Sequence, residues 1–200
     1  MDRLKSNYFD RPMDEHRTYS FLRALKFVYG KEKKKAVDLG AGHCKFTDIA
    51  SVFFKEVHAV DSRDVRVPKS LPENVTFIKA NAVEHDLSDY DVIICLGLLY
   101  HLTAKEQISI FKKAFQKELI IDTHMAIEPN DISEGFNGSF YQEAENKKEM
   151  MKNPKASTTT LKSFWFEETE FVRMLKDIGY MQIIKFEPEH YPKRTFYYIR

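Results

Sequence analysis

The sequence predicts a single α/β domain over residues 1–200, with a seven-stranded, mostly parallel sheet that ends in an antiparallel hairpin. Short apolar segments alternate with amphipathic ones between residues 36 and 122, which is typical of a doubly wound parallel sheet. A glycine turn, Gly40-Ala41-Gly42, separates the first strand from the first helix of that alternation. Two later apolar segments, Tyr180–Phe186 and Thr195–Arg200, predict the hairpin. The chain has 200 residues, of which 43% are hydrophobic, enough for one sizeable core.

The amino-terminal part predicts an irregular segment followed by one helix. Residues 7–17 are polar and include Pro12, so we expect no regular structure there. From Arg17 to Tyr29 apolar residues recur at helical spacing, and Gly30 ends the predicted helix. The apolar residues that define this spacing are Phe21, Leu22, Leu25 and Val28.

Five short apolar segments predict the parallel strands: Ala36–Leu39, Val57–Val60, Val75–Lys79, Tyr90–Cys95 and Leu119–Asp122. The fourth is nearly all apolar, which indicates a central strand covered on both faces. Helices are predicted over Lys45–Phe54, Lys105–Lys117 and Thr169–Asp177, the second with Ile108, Phe111 and Phe115 facing inward. Two prolines in Ser62–Asn74 make any helix in that segment short or missing.

The segment Met125–Ser163 interrupts the alternation. It contains Pro129, Gly135, Gly138 and Pro154, and it is too long for a bare connection in a compact domain. Such long segments are usually functional, so we predict that residues 125–163 form an insertion that acts as a lid over an acceptor site.

Composition narrows the class of protein. The formal net charge is +1, which argues against a protein that grips nucleic acid through bulk charge. Neither of the two cysteines, Cys44 and Cys95, has a partner at metal-ligand spacing, so we expect no metal site and a reducing, cytoplasmic environment. The polar amino terminus does not resemble a signal peptide, and no apolar run approaches the roughly 18 residues of a membrane span.

The turn Gly40-Ala41-Gly42 predicts a binding site for a nucleotide-like cofactor. Glycines let the backbone approach a ligand closely, and the start of the next helix offers free N–H groups. Asp61 lies about 20 residues beyond the turn, the spacing expected of a carboxylate that binds ribose hydroxyls. A dinucleotide fingerprint would need a third glycine where Lys45 stands, and the Gly-Lys-Ser/Thr of a P-loop is missing.

Four motifs in order resemble those of class I S-adenosylmethionine-dependent methyltransferases: Val37–Gly42, Val57–Asp61, Phe77–Ala82 and Tyr90–Leu102. The last contains a Gly-x-Leu-Tyr-His stretch similar to that of wobble-uridine-modifying enzymes and of several small-molecule and glycan methyltransferases. The resemblance covers the chain from Ala36 to the last strands. It implies a Rossmann-like fold, with S-adenosylmethionine as cofactor and S-adenosylhomocysteine as product.

The resemblance also implies roles for individual residues around the cofactor. The turn would line the methionine part, Asp38 would face its amino group, and Asp61 with the adjacent Ser62 would hold the ribose. Adenine would be bound by Asn81 and Ala82, and Leu96 would lie beneath the sulfonium. Residues 1–30, around Tyr8 and Arg17, would form a segment that covers the cofactor.

Methyl transfer needs the acceptor in line with the sulfonium–methyl bond, and a hydroxyl acceptor benefits from a base near neutral pH. His101 is the first candidate for that base and His124 the second, because both follow strands at their carboxyl ends, where open α/β sheets bind ligands. Tyr100, Tyr141 and Trp165 are candidates for contacts with the acceptor.

The sequence therefore favours an enzyme that methylates a small molecule or glycan. Two alternatives stay open: a methyltransferase of RNA wobble nucleotides, and a non-catalytic relative that serves as a binding protein. Cys44, where the family often has a third glycine, favours the second of these alternatives slightly. A dehydrogenase is a distant alternative because of Lys45.

Overall fold

The computed structural model describes residues 12–28, 34–153, 157–186 and 194–200. Seven strands form one sheet in the order β3-β2-β1-β4-β5-β10-β9. Their bounds are β1 Lys35–Leu39, β2 Glu56–Asp61, β3 Val75–Lys79, β4 Val92–Leu96, β5 Glu118–His124, β9 Ile183–Phe186 and β10 Arg194–Ile199. The first five are parallel, whereas β10 runs antiparallel to both β5 and β9. The predicted doubly wound sheet with an antiparallel terminal pair is confirmed.

The central strands are buried on both faces because helices cover each side of the sheet. Successive residues of β1 enter opposite cores: Val37 and Leu39 pack with α3 (Ala104–Lys113) and α5 (Glu168–Ile178), whereas Ala36 packs on the other side. That other side holds α1 (Pro12–Val28) and α2 (Lys45–Ala50). All five residues of β4 are buried, as expected for the nearly continuous apolar run around it.

Three predicted helices differ from those observed. α1 begins at Pro12, five residues before the predicted start, because proline fits the first turn of a helix, where its missing N–H is not needed. α3 ends at Lys113 rather than Lys117, and Phe115, just beyond it, was predicted to face inward but is 41% exposed. α2 ends at Ala50 rather than Phe54. No helix forms in Ser62–Asn74, in agreement with its prolines.

Residues 125–166, which include the predicted insertion, contain strands that the sequence did not predict. β6 (Asp131–Ser133), β7 (Phe136–Gln142) and β8 (Lys162–Phe166) form a separate antiparallel sheet, and α4 (Lys147–Lys152) lies between the last two. A Cβ at Gly138 would lie 2.2 Å from the carbonyl oxygen of Trp165, so only glycine lets β7 and β8 approach this closely. The insertion is therefore a folded unit rather than a bare loop.

Several predictions concern residues outside the described ranges. These are the covering segment up to residue 11, including Tyr8, the helix stop at Gly30, and the connection between the two strands of the predicted hairpin over residues 187–193. Of the helices that are described, none has the length and apolar character needed to cross a membrane.

Candidate active site

A cavity of about 500 Å³ opens at the carboxyl ends of the parallel strands. It lies where the strand order changes direction between β1 and β4, the point at which open α/β sheets bind ligands. Its volume is within the range of small-molecule sites. Eight of the nine residues predicted to bind the cofactor line it: Gly40, Ala41, Gly42, Asp61, Ser62, Asn81, Ala82 and Leu96.

The glycine turn forms the floor of the cavity. Gly40 has a φ of +73°, and its N–H donates to the carbonyl of Val60 in the neighbouring strand (2.8 Å). A Cβ at Gly40 would lie 2.9 Å from Cβ of Leu98, so a larger residue would push the turn away from the loop after β4. Glycine at this position therefore serves both the left-handed backbone and the close approach of the two loops.

Cys44 also adopts the left-handed conformation, with a φ of 56°, at the N-cap of α2. A side chain in this conformation costs roughly 1–2 kcal/mol relative to glycine. The thiol is buried, and burial raises its pKa to about 11, so it stays protonated at neutral pH. Cys44 therefore adopts the backbone conformation that a third glycine would adopt, but at a higher free energy.

Asp61 ends β2 and faces the cavity. Its Oδ2 accepts the N–H of Gly42 (2.9 Å), and its Oδ1 accepts the N–H of Arg63 (2.8 Å). Each carboxylate oxygen keeps a second lone pair, which can accept a hydroxyl group. The Oγ of Ser62 donates to Thr158, so the insertion reaches across the cavity at this end.

Asp38, the ninth predicted cofactor residue, does not line the cavity. Its carboxylate is buried beneath the turn, where Oδ2 accepts the hydroxyl of Thr47 (2.5 Å). Burial is the main cause of its pKa being raised to about 6, against the opposing hydrogen bond from Thr47. Contact between Asp38 and the amino group of the cofactor stays a prediction.

Asn81 and Ala82 follow β3 and line the side of the cavity next to Asp61. The Oδ1 of Asn81 accepts the N–H of Val83 (3.0 Å), which fixes the side chain in one orientation. Its amide nitrogen is a donor without a hydrogen-bond partner among the described residues. The loop thus offers a polar edge for a heterocyclic base.

His101 lies in a short 3₁₀ helix, Leu99–His101, after β4, and it lines the cavity. Its Nδ1 is 2.8 Å from Oε2 of Glu143, which follows β7 in the insertion. Burial raises the pKa of the Glu143 carboxyl, but the hydrogen bond and charge of His101 outweigh it and leave that pKa below its ordinary value. In the neutral form of His101, a hydrogen bond from Nδ1–H to Glu143 selects the tautomer whose Nε2 is the acceptor.

His124, the second candidate base, lies behind Tyr100 and does not line the cavity. Its ring stacks on Trp165 with centroids 4.8 Å apart, and its Nε2 is 3.2 Å from Nη2 of Arg194.

Of the three predicted acceptor contacts, Tyr100 lines the cavity. Tyr141 and Trp165 stack on each other and line a separate cleft of about 200 Å³. The indole N–H of Trp165 donates to the carbonyl of Tyr100, so it supports the 3₁₀ helix from behind.

Sequence reasoning missed Glu143, Asp122 and Arg194. Asp122 lies in β5 near its carboxyl end, and its Oδ2 accepts from Nε of Arg17 in α1 (2.7 Å) and from Nη1 of Arg194 in β10 (3.0 Å). Both arginines line the cavity. Arg17, Asp122 and Arg194 are far apart in the sequence, so no spacing pattern could have indicated the cluster.

Comparison with solved structures identifies the fold. The amino-terminal domain of EvdMO1, crystallised with S-adenosylhomocysteine bound, is 17% identical with a TM-score of 0.68 over 90% of this chain and 79% of that one. The 1,6-didemethyltoxoflavin-N1-methyltransferase of Burkholderia thailandensis is 14% identical with a TM-score of 0.61 over 92% and 76% of the two chains. A DhpI–SAM–HEP complex is 14% identical with a TM-score of 0.60 over 94% and 87%.

The chain therefore has the fold of class I S-adenosylmethionine-dependent methyltransferases, as its four motifs indicated. A scan against protein-family models finds no match, and neither does a search of curated proteins.

Proposed function

We propose that the protein transfers a methyl group from S-adenosylmethionine to a small-molecule or glycan acceptor. The observation that carries the proposal is the cavity at the β1–β4 switch point, floored by Gly40 and bordered by Asp61. The solved structures that share the fold include complexes with S-adenosylhomocysteine and with SAM, which supports the same ligand here.

The wall residues fit the parts of that cofactor. Gly40, Ala41 and Gly42 present backbone to the methionine part, and Asp61 has lone pairs left for the ribose hydroxyls. Asn81 and Ala82 also line the cavity and would bind adenine. When bound, the cofactor supplies an electrophilic methyl group, so the task of the protein is to position the acceptor and exclude water.

His101 acts as the base in this proposal. Glu143 fixes the imidazole through Nδ1, so Nε2 can take the proton from an acceptor hydroxyl within the cavity. The same Oε2 of Glu143 accepts the N–H of Ser157, another cavity residue, at 3.0 Å. The insertion therefore supplies both the group that orients the base and part of the wall, which is the role proposed for residues 125–163.

Ligand binding tests the cofactor assignment. S-adenosylhomocysteine at 100 times its dissociation constant should stabilise the protein by about 2.7 kcal/mol against unfolding, and NAD should not. Asp61→Asn should weaken S-adenosylhomocysteine at least about tenfold, because a carboxylate hydrogen bond to the ribose is lost. Asp64→Asn is the matched control. Asp64 lies three residues after Asp61 and is an exposed carboxylate that pairs with Lys79.

Methyl transfer itself is measured with tritiated S-adenosylmethionine and pools of small molecules, oligosaccharides and RNA. Label in the small-molecule or oligosaccharide pool supports the proposal, and label in RNA alone contradicts its acceptor class. If S-adenosylhomocysteine neither binds nor stabilises the protein, the proposed function is wrong.

A further inference from the structure

The loop that follows β3, residues 80–85, is held from outside the cavity by one lysine. Lys113 is the last residue of α3, and its Nζ donates to two backbone carbonyls of this loop, those of Val83 (2.6 Å) and His85 (2.7 Å). Asn81, Ala82 and Val83 of the same loop line the cavity, whereas Lys113 does not. The ammonium group therefore supports the cavity wall from behind.

The loop after β3 is a tight turn around Asn81. The backbone carbonyl of Asn81 accepts the N–H groups of Glu84 (3.1 Å) and His85 (3.0 Å), and its side-chain Oδ1 accepts the N–H of Val83 (3.0 Å). These N–H groups are satisfied within the turn, and the carbonyls of Val83 and His85 are bonded to Lys113. An ammonium group has three donors, so a single nitrogen can serve both carbonyls.

Val83 connects the lysine to the side chain of Asn81. Its C=O accepts from Lys113 and its N–H donates to Oδ1 of Asn81, so the peptide groups on both sides of Val83 are fixed. With Oδ1 held by the loop, the amide nitrogen of Asn81 is oriented as well. That nitrogen is a donor without a hydrogen-bond partner among the described residues, on a side chain that lines the cavity.

A role at the end of α3 does not by itself explain where Lys113 lies. A cation in the last turn of a helix is favourable, but the exposed Lys112 already occupies the last turn of α3. Lys113 is half-buried, and burial lowers its pKa against the nearby charges of Asp86 and Glu84. Burial of an ammonium group is unfavourable, and the two hydrogen bonds to the loop offset that cost.

We infer that Lys113 is a positioning residue for the cofactor: through Val83 it sets the amide group of Asn81 against the base of S-adenosylmethionine. An amide N–H fits adenine, whose N1 accepts a hydrogen bond, and does not fit hypoxanthine, whose N1 carries a proton. Lys113 thereby controls the selection of adenine without contacting it. The inference rests on the proposed function and deepens it at the adenine end of the cavity.

Calorimetric titration with S-adenosylhomocysteine and with S-inosylhomocysteine, its hypoxanthine analogue, tests the inference without an acceptor. We expect the wild type to bind S-adenosylhomocysteine at least about tenfold more tightly, because two donors that face each other leave a hydrogen bond unmade. Lys113→Met should lower this ratio at least about threefold, chiefly by weakening S-adenosylhomocysteine.

Lys117→Met is the matched control and should keep the ratio of the wild type. Lys117 lies four residues after Lys113, and its Nζ also donates to a backbone carbonyl at 2.6 Å, that of Ser88. Neither Lys117 nor Ser88 lines the cavity, so this bond is outside the wall that Lys113 supports.

A double-mutant cycle with Asn81→Ala tests whether Lys113 acts through Asn81. Asn81→Ala should abolish the preference for S-adenosylhomocysteine. Addition of Lys113→Met to that variant should then weaken S-adenosylhomocysteine by less than about twofold more, because the group that the lysine positions is already gone.

Three results would overturn the inference: a wild type that does not prefer S-adenosylhomocysteine, equal or absent effects of Lys113→Met on the two ligands, and a full effect of Lys113→Met on S-adenosylhomocysteine in the Asn81→Ala background. Should Lys113→Met fail to fold, Lys113→Arg keeps the charge but spreads its donors over a planar group, so it should lower the ratio about threefold. An unchanged ratio in Lys113→Arg would then overturn the inference. Absence of S-adenosylhomocysteine binding to the wild type would instead contradict the proposed function itself.

Discussion

Asp38→Asn should remove a loss of stability that the wild type shows as the pH rises from acidic to neutral. Burial raises the pKa of Asp38 to about 6 from its ordinary value of 3.8, so the folded state holds this proton more tightly than the unfolded state. Stability therefore falls as pH rises between these two values, and the variant lacks this dependence. Between pH 4.5 and 7, the free energy of unfolding of the variant should rise by about 2 kcal/mol relative to that of the wild type.

Urea denaturation of both proteins between pH 4.5 and 8 measures this difference. The hydrogen bond from Thr47 can be kept by the amide oxygen of the variant, and any constant offset cancels because only the change with pH is used. Thr47→Val provides a second comparison: it removes a donor that lowers the pKa of Asp38, so it should steepen the loss of stability. A difference between Asp38→Asn and wild type that stays flat across pH would refute the reasoning.

Two further predictions concern the turn and the base. Gly40→Ala should lose about 2 kcal/mol or more of stability and most affinity for S-adenosylhomocysteine, because its Cβ meets Leu98. Gly135→Ala is the control, because Gly135 has a similar φ of +82° and a Cβ there would have no atom within 4 Å. This variant should lose about 1 kcal/mol of stability and bind S-adenosylhomocysteine normally. Equal effects of the two substitutions would contradict the role of the close approach between Gly40 and Leu98. Glu143→Gln should slow methyl transfer at least about tenfold and change its pH profile while leaving S-adenosylhomocysteine affinity intact. An unchanged rate and profile would remove Glu143 from the mechanism of His101.

The parallel sheet could be predicted from the sequence because its strands are short, apolar and separated by clear turns. Predicted and observed bounds of the first five strands differ by at most two residues at either end. α1 was predicted too short because Pro12 was interpreted as a helix breaker, although proline is favourable in a first turn. β6 and β7 were missed because Gly138 alone of their ten residues is buried, so no alternation of apolar and polar residues indicates strands there.

The side of the cavity proposed for the cofactor could be predicted because its residues lie at or just after the ends of strands. Gly40, Asp61 and Asn81 each follow or end an apolar segment, and parallel strands bring such positions to one edge. The acceptor side could not be predicted in the same way. Glu143 is 42 residues from His101, and Arg194 is 94 residues from Tyr100, so only the tertiary fold joins them.

This division of the cavity means that its two sides can be perturbed separately. Residues of the cofactor side are tied to the sheet: Asp61 binds the backbone of the glycine turn, and Gly40 contacts the loop after β4. The opposite side is formed by side chains from α1, the insertion and β10, which come together at the carboxyl ends of the parallel strands. Substitution of Glu143 should therefore change turnover at constant cofactor affinity. Substitution of Asp61 should do the reverse, and a variant that affects both sides equally would argue for a single coupled site.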